Sequence, residues 1–127
     1  EERQMFLEDM GLENHVILTG NVTNVADYLS TMDVFVFPSL YEGLPLSILE
    51  VQANGLPCVI SDRVPEDVFL TELLRPVSLD APKRQWVDAI LNARRAEALK
   101  YNRQLRDSEY TVEKAMEKIY HIYEEVK

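Results

Sequence analysis

Two carboxylates, Glu42 and Glu50, stand with seven residues between them across a loop-to-helix junction. The run Val34-Phe35-Val36-Phe37 reads as a strand buried on both faces. It ends at Pro38 and feeds a short loop. The loop feeds a helix over 45–54, with Pro45 at the favoured first position and Gly55 just past the end. Gly43 lets backbone approach a ligand closely. A helix start offers unpaired N–H groups and the positive end of the dipole, which suits a phosphate. Pro45 supplies no N–H, so the donors fall to Leu44, Leu46 and Ser47. No basic side chain sits in the loop, so an anion bound here rests on backbone.

Within that helix Ser47, Glu50 and Asn54 recur at spacings of three and four and form one polar stripe. Two readings stand: a face turned to water, or the edge that meets a ligand. Glu50 lies about five residues into the helix, roughly 7–8 Å from its start. A nucleotide with its diphosphate at the helix start would bring a ribose to that depth. A carboxylate there accepts from paired ribose hydroxyls. Glu42 is either an exposed loop glutamate or a ligand carboxylate. Hydrolysis by two carboxylates needs both to flank one bond. Glu50 sits too far along the helix, so the pair suits two parts of one extended ligand.

The elements around this junction alternate. Residues 1–10 read as a helix with Met5, Phe6 and Met10 as apolar anchors, and Gly11 as its C-terminal glycine. Val16-Ile17-Leu18 reads as a first strand, closed by Thr19-Gly20-Asn21. Asn24 caps a short helix through Met32, with Val25, Leu29 and Met32 inward. Cys58-Val59-Ile60 is the next strand, a short helix is expected near 66–70, and Pro76-Val77-Ser78-Leu79 reads as an edge strand. Helices are expected at 82–95 and 109–126, the latter with a seam of Val112, Met116, Ile119, Tyr123 and Val126. Strands separated by helices give an α/β fold, a parallel sheet with flanking helices. Ligands of such sheets bind outside the carboxyl ends of the strands. That places Gly20-Asn21-Val22, Ser39 to Leu44 and Ser61-Asp62-Arg63 on the ligand side.

Composition narrows the class. The 127 residues are 46% apolar and 28% charged, enough for one domain with a real core. Thirteen basic against 22 acidic residues give a net charge of −9. That balance argues against nucleic acid and against direct attraction to anionic lipid. No apolar run approaches a membrane span, and the charged first ten residues are no signal peptide. Cys58 stands alone, suiting a reducing compartment, and reads as a small core hydrophobe. With His15 and His121 scattered, no structural zinc site is expected. Asp33, Asp62 and Asp67 form no Asp-x-Asp pair, so no metal is expected. The chain opens on Glu1 inside a helix-forming stretch, as a piece of a longer protein would.

The ordered set from Val16-Ile17-Leu18-Thr19-Gly20, through Val34-Phe35-Val36-Phe37-Pro38-Ser39 and Tyr41-Glu42-Gly43-Leu44-Pro45, to Glu50 and Ala53-Asn54-Gly55-Leu56-Pro57-Cys58-Val59-Ile60-Ser61 resembles family 4 of the retaining glycosyltransferases. It is similar to members that build bacterial exopolysaccharide, capsule or lipopolysaccharide. The close resemblance covers roughly residues 13–62.

The resemblance implies a GT-B fold, two Rossmann-like domains facing a cleft. Residues 1–127 would be part of the C-terminal, nucleotide-sugar-binding domain, with upstream strands and the acceptor domain outside the chain. It implies a nucleotide-sugar donor, a UDP-sugar ahead of a GDP- or ADP-sugar, as a substrate with no cofactor beside it, and a saccharide or lipid-linked acceptor. Glu42 would be the catalytic candidate at the donor sugar and Glu50 would hold the ribose. Gly43, Leu44, Pro45, Leu46 and Ser47 would meet sugar and diphosphate, with Gly20, Asn21 and Val22 near the base. Many members carry phenylalanine-glycine where this chain has Leu44-Pro45, so the sugar contacts differ. A basic pair that neutralises the diphosphate would come from the missing strands. The expected setting is cytoplasmic, with the full-length protein peripheral at the inner face of the membrane. The isolated chain is expected to be inactive and to self-associate through surface left open.

Two rival readings remain. One is another GT-B enzyme, a sugar-nucleotide epimerase or a phosphorylase. The other is a receiver-like signalling module with Asp62 as its acceptor, which lacks the paired acidic cluster such a module needs.

Overall fold

The structure is a computed structural model, and it describes residues 2–43, 45–95, 100–101, 105–108, 110–111 and 114. Its centre is a parallel sheet of three strands, β1 (Phe35–Phe37), β2 (Cys58–Ser61) and β3 (Leu74–Val77), in spatial order β1-β2-β3. Phe35 pairs with Cys58 and Phe37 with Ile60; Cys58 in turn pairs with Leu74 and Ser61 with Val77. All four residues of β2 are buried, as the central strand of a doubly covered sheet requires. Helix α1 spans Glu2–Asp9, α2 Val25–Thr31, α3 Leu46–Ala53 and α4 Lys83–Leu91; a single 3-10 turn covers Glu66–Val68. Parallel neighbours need a crossover, and α3 supplies the one from β1 to β2. This is the Rossmann-like α/β arrangement expected from the alternation.

The core gathers Ile48 and Val51 of α3, Leu56, Cys58 and Ile60 around β2, and Val64, Val68, Leu73 and Leu74 beyond it. Leu29 joins from α2 and Tyr101 from the far end of the described chain. Tyr101 and Lys100 are tied to the sheet through Glu72. Its carboxylate accepts from Lys100 Nζ at 2.5 Å and from the Tyr101 hydroxyl at 3.1 Å. The hydrogen bond from Lys100, with that from Tyr101, holds the Glu72 carboxyl down to about 2.

Several expected boundaries move. Val16-Ile17-Leu18 forms no strand, and Ile17 is 87% exposed. The apolar pattern is there, but a strand exists only through a ladder, and no backbone among the described residues pairs with this run. Met5, Phe6 and Met10 stay exposed and α1 buries no residue; Phe6 and half-buried Leu7 only line an open hollow with Leu18. The last strand begins at Leu74 rather than Pro76. Leu73 and Leu74 are core residues, and Cys58 N donates to Leu73 O at 2.9 Å, so the ladder starts there. Pro76 does sit on an outer strand, where a missing donor is tolerated. Helix α4 stops at Leu91 instead of 95, where the Asn92 amide turns back to Asp88 O at 2.7 Å. The helix expected at 109–126, with its seam, lies almost entirely outside the described residues.

Cys58 is 1% exposed in the central strand, and burial pushes its thiol up to about 12 from 9.0. The native thiol therefore stays protonated where the unfolded one ionises. Its contribution to stability is intact below pH 9 and is lost as pH rises from about 9 towards 12. At pH 8 iodoacetamide is expected to alkylate the native chain at least about a hundredfold more slowly than the urea-unfolded chain. Equal labelling rates would place Cys58 outside the core.

Candidate donor-binding site at the carboxyl end of the sheet

Strand β1 delivers the chain through Pro38 into the loop that carries Glu42, and the loop delivers it to the start of α3. Pro45 is the residue before the helix proper, at φ −77 and ψ 94, not its first helical residue. Extended backbone suits the proline ring, and Pro45 O accepts from Ile48 N at 2.9 Å. The N–H groups of Leu46 and Ser47 fall in the first turn, which has no intrahelical acceptor for them. Leu46 is 64% exposed and Ser47 half-buried, so this helix end is open. A Cβ added at Gly43 would meet nothing within 4 Å, and the turn needs no left-handed backbone there. Gly43 thus leaves room rather than relieving strain. Leu44 lies outside the described residues.

Glu42 is half-buried, and the Ser39 hydroxyl donates to its Oε1 at 2.7 Å. Glu50 projects from the side of α3, about 6 Å along the axis from Leu46. It lines a hollow of about 300 Å³ between α2 and α3, with Val25, Ala26, Leu29, Ala53 and Asn54. Gly20, at φ +63, turns the chain into the loop of Asn21 and Val22 that runs to Asn24 at the start of α2. Gly20, Asn21 and Val22 do not line that hollow. Asn24 precedes α2 but its side chain caps nothing. Its amide nitrogen donates instead to Asp27 Oδ2 at 3.2 Å. A second hollow of about 180 Å³, with Pro57, Cys58, Glu72, Arg75 and Arg94 in its wall, lies at the amino end of the strands. Ligands of parallel sheets bind at the other end, so it is no part of this site.

The polar stripe of α3 divides. Asn54 is engaged within the fold: its amide donates to Ser30 Oγ at 3.2 Å, and its own oxygen accepts from Arg95. The Arg95 guanidinium also donates to Asn54 O at 3.2 Å, Leu29 O at 3.2 Å and Met32 O at 2.8 Å. One cation therefore closes the carboxyl ends of both α2 and α3, where the helix dipoles favour positive charge. Ser47 and Glu50 remain as the open part of the stripe.

Three positioning groups escape a reading of the sequence by stripes. Ser39 stands three residues before Glu42, the spacing of a capping box, and that spacing could have flagged it. Gln52 lies one turn after Ile48 on the buried face and is fully buried. Its position alone on an apolar face was the available signal. Arg95 had no local signal, because its partners are 41 to 66 residues away.

The sequence pattern of the family described as glycosyl transferases group 1 matches residues 1–93. The chain belongs to that family. Among its relatives, EpsF of Bacillus subtilis strain 168, a protein named as a glycosyltransferase, is 42% identical over 83 residues, 65% of this chain and 22% of that protein. The UDP-Gal:alpha-D-GlcNAc-diphosphoundecaprenol alpha-1,3-galactosyltransferase of Escherichia coli is 48% identical over 54 residues, 42% of this chain and 14% of that protein. The capsular polysaccharide biosynthesis glycosyltransferase CapH of Staphylococcus aureus is 31% identical over 84 residues, 65% of this chain and 23% of its own length. The chain thus spans under a quarter of these glycosyl transferases. Loop, helix start, Glu42 and Glu50 all fall within the family match.

Proposed function

We propose that this chain is part of the C-terminal, donor-binding domain of a GT-B glycosyltransferase that retains anomeric configuration. The full-length protein moves a sugar from a nucleotide-sugar, a UDP-sugar first, to a saccharide or lipid-linked acceptor in surface polysaccharide synthesis. The observation that carries the reading is the open start of α3 at the carboxyl end of β1, with Glu42 before it and Glu50 along its side. The helix start receives the diphosphate, Glu50 the ribose hydroxyls and Glu42 the sugar. The loop of Gly20, Asn21 and Val22 lies beside the base. The name of the Escherichia coli relative, with its UDP-Gal donor and diphosphoundecaprenol-linked acceptor, supports a UDP-sugar donor and a lipid-linked acceptor. A lipid-linked acceptor would suit a full-length protein on the cytoplasmic side, peripheral to the membrane.

The chemistry asked of this half is leaving-group stabilisation. As the bond from the anomeric carbon to the diphosphate breaks, negative charge builds on the leaving oxygen. The first-turn N–H groups of α3 are already aimed where that charge develops, so no reorganisation is needed. A basic pair from the rest of the protein completes the neutralisation, and no metal or cofactor takes part.

The test uses the full-length protein in EDTA. Calorimetry is expected to show UDP binding, with turnover found on screening UDP-galactose, UDP-glucose, UDP-N-acetylglucosamine and GDP-mannose. Failure of UDP, GDP and ADP alike to bind would end the donor-site reading.

A further inference from the structure

We propose that Ser39 is a positioning residue for Glu42, fixing the carboxylate so that one oxygen is committed to the protein and the other is left for the donor sugar. The inference rests on the reading above that Glu42 meets the sugar. Ser39 is the second residue after β1, so the end of the sheet fixes where its side chain starts. Its hydroxyl lies 2.7 Å from Glu42 Oε1 and 3.2 Å from Tyr41 O. A serine hydroxyl has a single proton to donate. The shorter contact is to a charged acceptor, and such bonds are the stronger ones, so the proton belongs chiefly to Glu42. The longer contact to Tyr41 O tightens the same turn.

Among the described residues of this loop, few other side chains hold it. Leu40 is 71% and Tyr41 86% exposed, so neither side chain packs it down. On the Gly43 side there is open space. Ser39 supplies the side-chain hydrogen bond that reaches Glu42 among the described residues. With Oε1 engaged, the carboxylate cannot spin freely, and Oε2 is presented to an incoming hydroxyl. Ordering the acceptor beforehand removes that cost from the bound state, where small misplacements lower the rate.

The experiment is a double-mutant cycle in the full-length enzyme, with Ser39→Ala, Glu42→Gln and the combination. Turnover is read on the UDP-sugar selected by the screen, and UDP affinity by calorimetry. Ser39→Ala is expected to lower kcat about tenfold, the scale of one hydrogen bond to a charged group. UDP affinity stays within about twofold. In the Glu42→Gln background the same Ser39→Ala change is expected to cost less than about twofold, because the group it acts through is already altered. An equal loss in both backgrounds would assign Ser39 to loop structure and overturn the proposal. So would wild-type turnover in Ser39→Ala, or a fall in UDP affinity matching the fall in kcat. Wild-type turnover in Glu42→Gln would instead remove the Glu42 reading itself, and this inference with it.

Discussion

Replacing Gln52 by leucine is expected to lower folding stability by about 3–4 kcal/mol, although the substitution adds an apolar side chain to an apolar core. Gln52 is fully buried and all its hydrogen-bonding capacity is used. Its Nε2 donates to Ile48 O at 3.2 Å and to Val68 O at 2.8 Å. Its Oε1 accepts from Leu70 N at 3.2 Å and from the Thr71 hydroxyl at 2.9 Å. The amide thereby pins α3 to the segment that leads from the 3-10 turn into β3. Leucine leaves Val68 O and Leu70 N without these partners, and each orphaned buried group costs about 1–3 kcal/mol. Burial of the new methyl groups offsets only part of that. Urea unfolding measures the difference. A loss under about 1 kcal/mol would mean that the segment relaxes and finds other partners. Gln52→Glu adds a sign to the test. Its carboxyl must be protonated to donate to Val68 O, and burial raises its pKa, so the cost should grow as pH rises from 5 to 8.

The second large effect belongs to the ligand. Glu50→Gln keeps shape and loses the negative acceptor, so UDP should bind about ten- to a hundredfold more weakly to the full-length protein. Glu42→Gln should behave differently, lowering turnover more than it weakens UDP binding, because it meets the transferred sugar, which UDP lacks. Fold should survive both changes, since Glu50 is exposed and Glu42 only half-buried. Calorimetry with UDP beside turnover, for both variants, separates the two roles. Wild-type UDP affinity in Glu50→Gln would return Glu50 to the solvated face of α3 and end its ribose role.

What the sequence made legible is what depends on local pattern. The proline of β3 predicts an outer strand, but the run Val34-Phe35-Val36-Phe37, expected to be buried on both faces, is only half-buried: Val36 is 40% exposed, because β1 is the other outer strand and β2 is the fully buried one. Pro45 and Gly55 bracket α3 to within a residue at its start. The junction of β1, loop and α3 is likewise local, and the structure places Glu42 and Glu50 where that junction requires. What failed depends on distant partners. Among the described residues, Val16-Ile17-Leu18 has the apolar pattern of a strand and no ladder to join. Met5, Phe6 and Met10 have apolar side chains that no described residue buries. Asn54 has the spacing of a ligand-facing residue but is held by Ser30 and Arg95, residues that helix periodicity alone cannot bring to it. Gln52 is the opposite case: it is polar but lies on the buried face of α3, off the stripe that the helix period marks, and its partners Val68, Leu70 and Thr71 are 16 to 19 residues away.

The closing cation of α2 and α3 also says where this unit may be cut. The shared family pattern stops at residue 93, and Arg95 lies two positions further on. Tyr101, 3% exposed, and Leu105, packed against the core, lie further still. A chain trimmed to its recognisable portion would open both helix ends to water and strip a wall from the core. The stretch matched by the family pattern is therefore shorter than the stretch whose side chains close its helices and wall its core.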